Sequence, residues 1–170
     1  MDAELTNRSR DAINAASNRA VSQGHPDLTP AHLLLALLEG QDNENVIDLL
    51  AATGADQAAV RTGTERALAA LPSVTGSTVA PPQPNRELLA VIADAQARAK
   101  DLGDEYLSTE HLLIGIAAKG GQAVRLVVQA QNNAALRFWE RQGFVVIGTT
   151  TQEAAGRTNE VFRMEHRLTT

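Results

Sequence analysis

The sequence predicts a mainly α fold: two copies of one helical unit packed face to face, then a small α/β appendage of a helix and two or three strands. Three observations carry this reading. Leu28-Thr29-Pro30-Ala31-His32-Leu33-Leu34-Leu35-Ala36-Leu37 returns 79 residues later as Leu107-Ser108-Thr109-Glu110-His111-Leu112-Leu113-Ile114-Gly115-Ile116. Each copy follows a polar, alanine-rich amphipathic stretch. A composition break then falls near Gly120-Gly121-Gln122-Ala123. Residues 1–123 carry one aromatic, Tyr106, and a charge of −7, whereas residues 124–170 carry four aromatics (Phe138, Trp139, Phe144, Phe162) and a charge of +2.

Residues 6–23 read as a helix capped by Thr6 or Asn7, with Ile13, Ala16, Ala20 and Val21 on one apolar face. Gly24-His25-Pro26 ends it. Thr29 caps a second helix with Pro30 at its first position, where the missing N–H costs nothing. Its leucines run nearly all round, which predicts a buried central helix. A third helix covers roughly 43–52, with Val46, Ile47, Leu49 and Leu50 inward and Gly54 as terminator. A fourth, 56–71, places Val60, Ala67, Leu68 and Leu71 on one side.

Residues 72–84 are a linker by composition. A helix at 85–101 follows, with Leu88, Leu89, Val91, Ile92 and Ala95 inward, broken by Gly103-Asp104. Ser108 caps the next helix, and Glu110 sits in its first turn, where a carboxylate meets the positive helix end. Residues 124–130 fit a helix equivalent to 46–52 and equally a β-branched strand, so both stay open. Asn133 to Gln142 reads as a helix ended by Gly143. Residues 144–151 and 159–168 read as strands joined by a polar loop. If 124–130 is a strand, the resulting small sheet lacks a neighbour and offers an open edge, suited to a homodimer.

Composition narrows the function. The net charge of −5 argues against a nucleic-acid surface and points to no membrane patch. With no cysteine, disulfides, thiolate metal sites and cysteine nucleophiles are excluded. No apolar run is long enough to span a bilayer, and Met1-Asp2-Ala3-Glu4-Leu5 is unlike a secretion signal, so a cytoplasmic location is expected. His32 and His111 occupy equivalent repeat positions. A metal site needs further ligands at close spacing, so they are expected to be structural.

Leu5-Thr6-Asn7, Leu28-Thr29-Pro30-Ala31-His32-Leu33-Leu34, Leu71-Pro72 and Gly103-Asp104-Glu105-Tyr106-Leu107-Ser108-Thr109-Glu110-His111-Leu112 follow one another at a consistent spacing. On these motifs residues 1 to about 123 resemble the N-terminal domain of the Clp family of AAA+ unfoldases, most closely its ClpB branch. The resemblance implies eight helices in two pseudo-twofold four-helix repeats: 1–71, a linker at 72–84, and a truncated second repeat at 85–123. It also implies a chaperone module of the stress response. Such a module binds unfolded or aggregated polypeptide or adaptor proteins in a surface groove and passes cargo to an ATPase ring. Thr6, Asp104 and Glu110 match polar positions implicated in that role. No G-x-x-x-x-G-K-[ST] loop occurs in the chain, so ATP hydrolysis by that route is excluded.

Residues 124–170 resemble something else. Val124-Arg125-Leu126-Val127-Val128, the run from Asn132 through Ala135, Trp139 and Glu140 to Gly143-Phe144, and Val161-Phe162-Arg163-Met164-Glu165 are similar to the C-terminal end of a GNAT-superfamily acyltransferase. There they stand for the fifth strand, the following helix and the last two strands. The family's pyrophosphate-binding loop has no counterpart here, and Trp139 stands where many members place an acid–base tyrosine. The chain reads as a chimera, its tail a fragment that either completes the truncated second repeat or forms its own sheet.

The expected function is therefore a non-catalytic protein-interaction module without cofactor or metal. Thr6, Asp104 and Glu110 are its contact residues, and Leu88, Val91 and Ile92 are the exposed apolar side chains behind them. Two alternatives stay beside it: an acyltransferase remnant that binds acetyl-CoA, and a free-standing decoy of a Clp unfoldase.

Overall fold

The computed structural model describes residues 4–41, 43–74, 80–119, 126–129, 136–137, 140–141, 144–154 and 157–166. The first repeat opens with β1 (Glu4–Leu5), α1 (Asn7–Ser22), β2 (Asp27–Leu28) and α2 (Pro30–Glu39), and continues with α3 (Glu44–Ala52) and α4 (Gln57–Ala69). The second repeats that opening as β3 (Gln83–Pro84), α5 (Arg86–Leu102), β4 (Tyr106–Leu107) and α6 (Thr109–Lys119). A tail of β5 (Leu126–Gln129), β6 (Phe144–Ala154) and β7 (Arg157–His166) follows.

The four two-residue strands are the hinge of the symmetry. β1 pairs in parallel with β4, and β2 pairs in parallel with β3, so each repeat lends one strand to the other. The 79-residue offset maps β1 onto β3 and β2 onto β4, so the two ribbons are images of one another under the pseudo-twofold. Sequence pattern misses these strands because two residues carry no periodicity.

Local chemistry sets the helix ends. Thr6 is in extended conformation and its Oγ1 accepts from Ser9 N–H, leaving the other predicted cap, Asn7, as the first helical residue. Asn85, its repeat equivalent, caps α5 by accepting from Leu88 N–H at 2.8 Å. Asp56 caps α4. Gly103, at φ +78, ends α5 in the left-handed conformation that glycine adopts without penalty.

α2 and α6 are the buried pair. Every residue from His32 to Leu38 and from His111 to Ala118 is buried, as their all-round apolar sequences require. One core joins both repeats, with Leu33, Leu37, Leu107, Leu112 and Ile116 at its centre. Each such side chain contributes roughly 1.5–3 kcal/mol by burial. α5 and α6 close tightly at Gly115, where a Cβ would lie 2.7 Å from the Val91 carbonyl oxygen.

Two expectations change. Val21 is 60% exposed, because α1 buries the arc Ser9, Ala12, Ala16 and Ala20 and Val21 falls beside it. The 72–84 linker is fastened at both ends: Val74 N–H donates to Gly24 O, and Gln83–Pro84 forms the ribbon with β2.

The open question at 124–130 resolves as a strand over Leu126–Gln129. β5 pairs antiparallel with β7, Val128 opposite Phe162, and β7 pairs with β6 in the order β5-β7-β6. A register shift between Val146 and Gly148 marks a bulge. Leu136, Arg137, Glu140 and Arg141 have helical backbone within the predicted 133–142 helix; the rest of that segment, Phe138 and Trp139 included, lies outside the described residues.

Candidate partner-binding surface

The β1–β4 ribbon brings the N-termini of α1 and α6 side by side, because parallel strands in register deliver both helices at the same end. Thr6 N–H donates to Leu107 O at 3.1 Å, and the buried Ser9 hydroxyl donates to the same oxygen at 2.8 Å. Thr6 thus caps its own helix and joins the two repeats.

Glu110 lies in the first turn of α6. Its Oε1 accepts from Asn45 Nδ2 of α3 at 2.7 Å and its Oε2 from Thr109 Oγ1 at 3.1 Å. Burial pushes its carboxyl up. Hydrogen bonds from its own backbone N–H, Ser108, Asn45 and Thr109 more than offset this and hold it below the usual carboxylate range. Glu110 is therefore a fixed negative charge at a positive helix end.

Asp104 follows the turn after α5, at the opposite end of β4, and its Oδ2 lies 3.2 Å from His111 Nε2. His111 Nδ1 in turn accepts from Ser108 N–H at 3.1 Å. The first repeat has the same arrangement with one exchange: His32 Nδ1 accepts from Thr29 N–H at 3.1 Å, and its Nε2 meets His25 rather than a carboxylate, at 2.8 Å. Both predicted structural histidines thus complete a helix start, standing where a glutamate or glutamine closes the usual capping box.

Beside the Thr6–Glu110 end runs a groove of about 330 Å³ between α1, the end of α2, the start of α3 and the start of α6. Ala12, Ala15, Ala36, Leu37 and Val46 make its apolar wall. Arg8, Asp11, Gln41, Asn43 and Thr109 make its polar rim. Thr109 donates to Glu110, which ties the groove to the predicted polar contact residue. Such a shape accepts one or two apolar side chains of a chain lying across it, with polar groups at its edges.

None of Thr6, Asp104 and Glu110 lines the groove: Thr6 and Glu110 sit at the helix starts whose Arg8 and Thr109 do, and Asp104 lies before β4. The structure corrects the apolar assignment on α5. Leu88 is 2% exposed and Val91 fully buried, so neither is a surface contact; with Ala95 and Ala99 they form the inward stripe of α5. Ile92 is half-buried against the core, whereas Leu89, expected to face inward, is 55% exposed because it falls outside that stripe. The groove arises from α1, whose small residues leave space against α2 that leucines would fill.

With this geometry in hand, the comparisons are direct. The family model described as the Clp repeat (R) N-terminal domain matches residues 4–131. The chain belongs to this family. The match runs through β5. The chaperone protein ClpB of Streptomyces albus G is 75% identical over 120 residues, covering 68% of this chain and 14% of that protein. The chain thus spans about one seventh of the length of this curated relative. The Hsp104 N-terminal domain of Candida albicans superposes with a TM-score of 0.59 at 17% identity, covering 82% of each chain. The ClpV N-domain, in complex with a VipB peptide, superposes with a TM-score of 0.51 at 20% identity, covering 66% of this chain and 67% of that one. These two likenesses carry the shared fold. No helix among the described residues is long and apolar enough to cross a membrane, and no cluster there has three metal-ligating side chains.

Proposed function

We propose that this chain is a non-catalytic module that binds exposed apolar segments of unfolded polypeptides or adaptor proteins. The observation that carries the reading is the alanine-walled groove beside Thr6 and Glu110. An apolar side chain of the client enters the groove. The rim, with the fixed carboxylate of Glu110 next to it, takes up polar backbone or cationic groups of the same segment. Asp104 orders the α6 start through His111. The small contact area makes binding weak and broad in sequence. The family membership and the peptide complex of the ClpV N-domain support the same reading.

The test fills the groove without touching the core. Ala15 is exposed and lines it, so Ala15→Trp occupies the space at little cost in stability. Fluorescence anisotropy with a labelled, permanently unfolded polypeptide is expected to show binding about tenfold weaker, a change of about 1.4 kcal/mol, with Tm unchanged. Unchanged affinity removes the groove from the reading.

For the tail we infer an acyltransferase-like fragment. The three strands at Leu126–Gln129, Phe144–Ala154 and Arg157–His166 fall where that resemblance expects its fifth strand and its last two strands, which supports this origin. Saturating acetyl-CoA raises Tm if the fragment retains cofactor affinity. Without its phosphate-binding loop we expect no shift.

A further inference from the structure

The turn that joins α1 to β2 holds both described ends of the linker between the repeats. Val74 N–H donates to Gly24 O at 2.7 Å and Ser73 Oγ to Gln23 O at 2.9 Å, while Gln83 N–H donates to Pro26 O at 3.3 Å. In the middle of these acceptors sits His25, buried, with its Nδ1 2.8 Å from His32 Nε2. We propose that the His25–His32 pair is a proton-sensitive clasp on the inter-repeat linker, closed when both rings are neutral and opened by one proton.

The donors dictate this. Thr29 N–H must donate, so His32 Nδ1 is the acceptor and its proton sits on Nε2. His32 Nε2–H then donates to His25 Nδ1. A proton added to His25 Nδ1 sets two donors against each other across 2.8 Å. Moving the His32 proton to Nδ1 relieves that clash only by giving up the bond from Thr29 N–H, which the start of α2 needs. A proton added to His32 Nδ1 loses the same bond. A proton on His32 Nδ1 can turn to Thr29 Oγ1, 2.9 Å away, but Thr29 N–H then loses its acceptor; every protonated form thus gives up either the His25–His32 bond or the Thr29 N–H bond, and β2, with its linker strand β3, lies between them.

The charges around the pair do not rescue it. Arg19 of α1 acts on His32 as a nearby cation, and Glu39 of α2 is already shared by Arg19 and Arg61 of α4. Asp27 of β2 is exposed, and neither the described linker residues nor β3 carries a charge. Burial first, then His25 and Arg19, lower His32 from the ordinary 6.5 to about 4. The second repeat is an internal control. There Asp104 replaces His25, so a protonated His111 gives up the Ser108 N–H bond but keeps a carboxylate at Nε2 and meets no second imidazole, and Glu4 N–H bonds to Glu105 O as Gln83 N–H bonds to Pro26 O.

Amide exchange of the full chain by NMR, normalised to intrinsic rates at about pH 7.5 and about pH 5, reads this out. Val74 and Gln83 are expected to lose protection about tenfold at the lower pH, while Glu4 changes less than about twofold. His25→Asp, which copies the second repeat, is expected to abolish the loss. Constant protection at Val74 and Gln83, a loss matched at Glu4, or the same loss in the variant overturns the proposal. If the variant does not fold, the contrast between the two ribbons of the wild-type chain decides alone.

Discussion

The two repeats place different chemistry on matched positions. Where α1 has Ser9, Ala12 and Ala36 facing it from α2, α5 has Leu88, Val91 and Gly115 facing it from α6. In the second repeat larger side chains on one helix meet a glycine on the other, and the pair seals: a Cβ on Gly115 would run into Val91 O and Ala95. In the first, alanine stands opposite alanine, and the space left over is the wall of the groove. The same contrast holds at the caps, where one imidazole meets another imidazole and the other meets a carboxylate. One backbone plan thus closes one helix pair and leaves a groove beside the other through a handful of side chains.

The sharpest way to break the comparison is Leu88→Ala. If α5 is structural rather than a contact surface, this substitution costs about 2–5 kcal/mol in denaturant unfolding and leaves the affinity of the folded fraction for unfolded polypeptide unchanged. Lost affinity at full stability would return α5 to the binding surface. Next comes acid. His32 is neutral when folded and binds a proton when unfolded, so its contribution is complete above pH 6.5 and falls away as pH drops toward about 4. The loss is at most about 3 kcal/mol. Unfolding curves across that window should show it in the wild-type chain, with a smaller loss in His25→Asp. Gly115→Val follows, at about 1–3 kcal/mol from overpacking against Val91 O, measured as a fall in Tm.

What was legible in the sequence divides along the same lines. Periodicity and caps marked α1 to α6, because Thr6, Thr29 and Gly103 state their roles locally. The repeat gave the pseudo-symmetry. The ribbons were not legible, since β1 to β4 exist only where the repeats meet. Nor was the groove, which is an absence of side-chain volume: Ala12, Ala15 and Ala36 carry no signal until α1 lies on α2. Leu88 and Val91 face inward as their spacing requires but are not the exposed contacts, since α5 has apolar residues beyond one stripe and the surface falls to others. Packing chose Leu88, Val91, Ala95 and Ala99 and left Leu89 outside. Residues 126–129 have both helix and strand sense, and pairing with β7 over four positions decides for the strand.

The smallest expected effect tests how the halves are joined. Ser9 is fully buried in the first repeat, yet its hydroxyl donates to Leu107 O of the second. Ser9→Ala removes that donor without orphaning its partner, because Leu107 O still accepts from Thr6 N–H. The cost is therefore one net hydrogen bond, about 1 kcal/mol, rather than the larger penalty of a buried unsatisfied carbonyl. Ser9 also touches Thr6 Oγ1 at 2.9 Å, so the variant leaves the Thr6 cap with its bond from the residue 9 backbone N–H alone. A loss near 1 kcal/mol in unfolding, with faster exchange at Thr6 N–H, marks the hydroxyl as a fastener between repeats. A loss several times larger would mean that the β1–β4 ribbon depends on this one hydroxyl, and the two ribbons would then differ in strength despite their shared geometry.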